Sequence, residues 1–122
     1  MNDNDPIVLA MQVKEIVQAL ELKVYSGEEG LDREVSGAYV SDLLSDVMGH
    51  ADTGQLWITL QTHKNVMAIA SLKDLAAVIL VAGHKPAENT VEQSNEEGIP
   101  ILGTLLSNFE ISGRLYELIK NR

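Results

Sequence analysis

Cysteine is missing altogether from the 122 residues. Its absence removes disulfides, thiol nucleophiles and thiolate metal sites together. Aromatic side chains are scarce as well, 4% of the chain with a single tryptophan, against 45% hydrophobic residues overall. The core must then be aliphatic, built from Val, Ile, Leu and Ala, the usual filling of a sheet covered on both faces by helices. Positive charge is in deficit: nine Lys and Arg against 18 Asp and Glu leave a net charge of −9. Such a chain repels phosphate backbones and anionic membranes, and no basic stripe interrupts the acid, so neither nucleic acid nor membrane is expected as a partner. No apolar run approaches the roughly 20 residues of a membrane span. The amino terminus is acidic, and its apolar run Ile7 to Met11 lacks the basic lead of a signal peptide. The expected setting is the cytoplasm.

What is present fits one domain, because 122 residues bury roughly two-thirds of the surface that the unfolded chain exposes. Residues 1–10 read as a flexible leader, acidic up to Asp5 and closed by Pro6, and 11–122 as a single domain. Val13, Ile16, Val17 and Leu20 repeat at i, i+3, i+4, i+7 and predict a helix from Gln12 to Leu20. Leu22 to Tyr25 alternates as a short strand before a turn at Gly27-Glu28-Glu29-Gly30. Glu34 to Val40 and Leu56 to Leu60 then read as two buried strands, from Val35, Tyr39, Val40 and Trp57. Between them, Ser41 is the natural N-cap and Gly49 the natural stop of a helix bearing Leu43, Leu44, Val47 and Met48.

The second half repeats the alternation. A helix opens near Lys64, and Ala77 to Ala82 is a continuous apolar run, the pattern of a central parallel strand buried on both faces. Thr90 to Gln93 has capping-box spacing ahead of a polar helix that Gly98 stops; Ile99 to Leu102 is the next strand, with Pro100 at its start or on an edge. Ser107 to Glu110 is another capping box and opens the last helix, whose Lys120 and Arg122 complement the helix dipole. Helices alternating with strands predict an α/β fold, a three-layer α/β/α sandwich around a mostly parallel sheet of about five strands.

Several segments also carry a resemblance. Gly30 to Val40, Ser41-Asp42-Leu43-Leu44-Ser45-Asp46-Val47-Met48, Leu56-Trp57-Ile58-Thr59-Leu60-Gln61-Thr62-His63 and Ala70-Ser71-Leu72-Lys73-Asp74-Leu75-Ala76 resemble the DRTGG domain family. That family is similar in fold to the amino-terminal domain of HPr kinase/phosphorylase and to the first domain of the Mur ligases. The resemblance runs from Met11 onward, although Asp32-Arg33 is followed by Glu34-Val35-Ser36-Gly37 and not by Thr-Gly-Gly. It implies regulatory, non-catalytic and self-associating behaviour, here as a stand-alone copy of a domain usually attached to others.

The chemistry is read on the same residues. G-x-x-x-x-G-K-[ST] and G-x-G-x-x-G are both absent, so the backbone cradles for nucleotide hydrolysis and dinucleotide binding are missing. His50, His63 and His84 share no metal-ligand spacing, and no G-x-S-x-G elbow places a serine nucleophile. No metal or cofactor is expected. Asp42 and Asp46, four apart, would share one helix face as an acid/base or cation pair, or simply complement the helix amino end. Asp32-Arg33 reads equally as a self-satisfied ion pair or as a holder of an anion or a partner's carboxylate. In open α/β sheets ligands sit where strand carboxyl ends meet helix amino ends. The candidate ligand residues are accordingly Asp32, Arg33, Ser41, Asp42, Gln61, Thr62 and His63, for a small anionic ligand such as a nucleotide, in a regulatory or adaptor homodimer. An alternative is a small hydrolase or acid/base enzyme using His63 with Asp42 or Asp46. A third is a purely structural module for binding another protein, and the test between them is whether Tyr39 and Trp57 pack that corner shut.

Overall fold

Strands and helices alternate as the pattern predicts in the computed structural model, which describes residues 11–121. The leader expected over residues 1–10 and Arg122 lie outside the described residues. In chain order come β1 (Met11–Gln12), α1 (Val13–Leu20), β2 (Lys23–Ser26), a single 3-10 turn at Glu28–Gly30, β3 (Glu34–Val35), β4 (Gly37–Val40), α2 (Leu44–His50), β5 (Gln55–Thr59), α3 (Asn65–Leu72), β6 (Ala77–Leu80), α4 (Glu88–Glu97), β7 (Ile101–Gly103) and α5 (Asn108–Lys120). Five strands form the main sheet in the order β2-β7-β6-β5-β4. All neighbours are parallel except β2, which runs antiparallel against β7. The apolar run at Ala77 does hold the centre of that sheet.

Side chains on the central strands alternate between two cores, as the period of two requires. Leu56, Ile58, Ala77, Ile79 and Leu102 pack with Val13 and Ile16 of α1 and Ile111 and Leu115 of α5. Trp57, Val78, Leu80 and Ile101 pack on the other face with Val47 of α2 and Val66, Met67, Ile69 and Ala70 of α3. Helix α4 lies beside α3, and its buried positions, Thr90 and Ser94, are polar. They are fastened by hydrogen bonds: Thr90 Oγ1 donates to the Thr62 carbonyl at 2.8 Å, Ser94 Oγ to the Ile99 carbonyl at 2.6 Å, and Ser26 Oγ to Ser94 Oγ at 2.9 Å.

Four local expectations are corrected. Glu34 to Val40 is two strands: Ser36 leaves the ladder, its N–H bound to the Gly54 carbonyl and its hydroxyl to the Thr53 carbonyl, while Glu34 and Val35 pair back onto Met11 and Gln12. Only Val35 of that stretch is buried; β4 is the half-exposed outer strand. Gly49 does not stop its helix, which runs to His50 and ends in extended backbone at Ala51; Ser41 sits ahead of the cap and accepts from the Leu43 N–H at 3.1 Å. Thr90 is an interior residue of α4, which starts at Glu88 behind Ala87. Ser107, by contrast, caps α5 as expected, accepting from the Glu110 N–H at 3.2 Å, and Gly98 ends α4 in the left-handed conformation that favours glycine.

Candidate anion-binding site

The parallel strands point their carboxyl ends at one edge of the sheet, and antiparallel β2 brings its amino end to the same edge. A cavity of about 570 Å³ opens there, within the roughly 300–1,000 Å³ typical of small-molecule sites. Four separate segments build it: Ala19, Leu20, Glu21, Lys23 and Tyr25 from the α1–β2 region, Gly83 and Lys85 after β6, Gly103 to Leu106 at the end of β7, and Arg114 of α5.

Local geometry fixes these walls. Helix α1 turns off at Glu21, which is left-handed with φ 52°, and the chain enters β2 with Lys23 and Tyr25 on one strand face. The Lys23 ammonium stands 4.8 Å from the centre of the Tyr25 ring. That ring lies so close over Gly103 that a Cβ there would collide with it. Beyond β6 the chain passes through Ala82 and Gly83, both left-handed, and their N–H groups donate to the carbonyls of Leu106 (2.8 Å) and Thr104 (2.9 Å). The two loops are thereby tied to each other at the mouth.

Charge singles out this cavity. Lys23, Lys85 and Arg114 face Glu21 alone among the lining carboxylates, in a chain of net charge −9. Among the described residues the ion pairs are Lys14–Asp32, Arg33–Asp74 and His50–Asp46, and none of the three lining cations takes part. A concave wall with one sign of charge concentrates ions of the other, and Leu20, Leu105 and Leu106 offer apolar surface beside the cations. The arrangement can hold an anion that also has an apolar body.

None of the seven residues singled out from the sequence lines this cavity, and the structure does not gather them into one site. Asp32 and Arg33 lie at the opposite end of the sheet. Asp32 accepts from Lys14 Nζ at 2.9 Å, and Arg33 donates to the Gly98 carbonyl at 2.9 Å and to Asp74 Oδ1 at 3.2 Å. Ser41, Asp42, Gln61, Thr62 and His63 do stand at the strand carboxyl ends, where most are engaged with their neighbours. Asp42 Oδ1 accepts from Thr59 Oγ1 (2.7 Å) and the Leu60 N–H (2.9 Å), Gln61 Nε2 donates to the Asp42 carbonyl (2.9 Å), and the Thr62 carbonyl accepts from Ala87 and Thr90. His63 is exposed.

Trp57, fully buried, donates its indole N–H to the Ser41 carbonyl at 2.8 Å. Tyr39 donates to Asp46, 3.0 Å from both carboxylate oxygens. Trp57 is thereby fastened to the Ser41 backbone and Tyr39 to α2. The expected Asp42–Asp46 pair is not formed either: Asp42 precedes α2, and Asp46 meets His50, at 3.1 Å, and not His63. The acid/base arrangement of the enzymatic alternative is thus not assembled.

A mostly parallel sheet between two helical layers, with a cavity outside the strand ends, defines a small three-layer α/β domain. The chain belongs to the DRTGG domain family, whose model matches residues 5–118. It is similar to HPr kinase/phosphorylase of Levilactobacillus brevis, 27% identical over 128 residues, a match covering 93% of this chain and 41% of that protein. The chain thus spans about two-fifths of that relative. Among solved structures it resembles the CBS and DRTGG domains of the regulatory region of Clostridium perfringens pyrophosphatase, complexed with its activator diadenosine tetraphosphate. That match has a TM-score of 0.66 at 17% identity and covers 85% of this chain and 45% of the other. Among the described residues no helix is long and apolar enough to cross a membrane.

Proposed function

We propose that this chain is a non-catalytic regulatory or adaptor domain that receives a small anionic ligand, such as a nucleotide, in the cavity of Lys23, Lys85 and Arg114, and passes that event on through a cytoplasmic homodimer. The observation that carries the reading is the gathering of three cations, none of them in an ion pair among the described residues, around one cavity of an acidic chain. Membership of the DRTGG family supports the regulatory part. The neighbouring fold, part of a regulatory region complexed with a dinucleotide activator, supports the choice of nucleotides as the first ligands to try. A ligand shifts a conformational equilibrium only by the difference in its affinity for the two states, so the domain needs a ligand-sensitive arrangement and no chemistry.

Thermal denaturation against nucleotides, phosphorylated metabolites and divalent metals tests it. A ligand that binds only the folded state adds about 2.7 kcal/mol at a hundredfold over its dissociation constant. A phosphorylated compound should raise the melting temperature, and Lys85→Glu or Arg114→Glu, both at exposed positions, should each abolish the rise. A shift that survives both substitutions and is lost in Thr62→Ala would move the site to the Ser41–His63 corner. No shift with any compound would end the ligand reading.

A further inference from the structure

We infer that residues 7–10, Ile-Val-Leu-Ala, continue β1 as an antiparallel strand along the free edge of β4. The inference is independent of the anion reading. Strand β4 ends the main sheet, and among the described residues no strand pairs with its outer edge. An edge of this kind leaves a row of N–H and C=O groups open to pairing. Beside it, Ala38 and Val40 border a groove of about 340 Å³ with Ser112, Leu115, Tyr116 and Ile119 of α5, and no charged side chain lines that groove.

Two sets of hydrogen bonds name the occupant. Met11 lies opposite Val35 and Gln12 opposite Glu34, antiparallel, so the chain running back from Met11 is aimed along β4. In such a ladder the hydrogen-bonded pairs recur at every second residue. The Val13 N–H donates to the Arg33 carbonyl at 2.9 Å, which makes Met11–Val35 the next bonded pair and sets Leu9 on Gly37 and Ile7 on Tyr39. The backbone of β4 offers those same two positions. Successive residues of a strand turn their N–H groups to opposite edges; the Ser36 N–H goes to the Gly54 carbonyl on the β5 side at 2.8 Å, so Gly37 and Tyr39 face outward.

The residue types suit this register. Opposed residues share a face, so Val8 stands with Ala38 on the groove side, and Ile7 pairs with Tyr39, a β-branched and aromatic combination that stabilises sheets. Leu9 falls beside Gly37, where a Cβ would meet open space. Pro6, which has no N–H to give, comes at an outward position opposite Val40, where it breaks no ladder bond and blunts the new edge. The family match begins at residue 5 and so takes in the whole segment. The leader expected over residues 1–10 then ends at Pro6.

Hydrogen exchange of the full chain, followed amide by amide by NMR, tests the pairing. The Gly37 and Tyr39 amides should be protected. Leu9→Pro, which removes an inward N–H, should speed their exchange about tenfold or more, the scale of one lost backbone hydrogen bond. Ile7→Pro, the other inward position, should act in the same way, whereas Ala10→Pro, which removes an outward N–H, should leave both amides protected. Ile58 and Ile79, buried in the sheet centre, should keep their protection in all three variants, showing that the fold is retained. Free exchange of Gly37 and Tyr39 in the wild type overturns the inference, as does protection that survives both inward substitutions, which would give the edge to another segment. Equal loss in Ala10→Pro overturns the register. Protection that disappears on dilution, while the mass by light scattering falls from twice 13.3 kDa to that of one chain, would assign the strand to a second copy and overturn pairing within one chain.

Discussion

Asp46 accepts hydrogen bonds from several side chains at once. The hydroxyls of Ser41, first, and Tyr39, second, hold its carboxyl below the ordinary value of 3.8, with His50 adding to the effect. Tyr39 is raised above its ordinary 10.0, chiefly by burial and then by its bond to Asp46. An acid that ionises more readily folded than unfolded contributes stability fully present above its ordinary pKa and lost as pH falls through the lowered folded value. Asp46→Asn should accordingly be less stable than wild type at neutral pH, with the gap closing as pH drops below 3.8. Urea midpoints measured across that acid range check it, and a gap independent of pH would show that the charge contributes nothing. For Tyr39 the sign is opposite: its share is present below pH 10.0 and lost as pH rises through the raised folded value.

At the scale of elements, α4 is the unusual helix, since hydrogen bonds and not apolar contacts hold its buried side. Ser94 sits between the Ser26 hydroxyl and the Ile99 carbonyl, fully buried. Ser94→Ala strands both partners, and an unsatisfied buried polar group costs about 1–3 kcal/mol. Denaturant unfolding should show a loss of that size, whereas Ser112→Ala, on the surface side of α5, should cost far less. The sequence pattern revealed α1, α5 and the strand at Ala77 because the first is decided by its own apolar periodicity, the second by its Ser107 cap and the third by its continuous apolar run. It misread Glu34 to Val40 because the break at Ser36 depends on carbonyls of Thr53 and Gly54, residues outside any local window. It misplaced the start of α4 because Thr90, spaced like a cap, found a tertiary acceptor at Thr62.

For the whole molecule, charge acts in two directions. Self-repulsion at net −9 weakens the compact state, so adding salt from low ionic strength should raise the melting temperature of the free protein. The same screening should weaken anion binding at Lys23, Lys85 and Arg114. Titrating salt with and without ligand checks both slopes, and parallel trends would count against the cationic cavity. The sequence put Ser41, Asp42, Gln61, Thr62 and His63 at the strand carboxyl ends, the edge at which the cavity opens, whereas Asp32 and Arg33 lie at the other end. The cavity itself was not readable, since its cations sit at positions 23, 85 and 114, each unremarkable alone and joined only by the antiparallel placement of β2.

That placement also sets an order of events. Lys23 pairs across from Gly103, and Val24 from Leu102, so an early strand waits for one of the last to be made. Closing so long a loop is entropically costly and slows folding. While the chain is being synthesised, β4, β5 and β6 have neighbours available in sequence order, whereas β2 has none until β7 emerges. The wall that Lys23 and Tyr25 give the cavity is thus in place only once β2 has paired with β7, so the proposed ligand response waits on one of the last strands to be made.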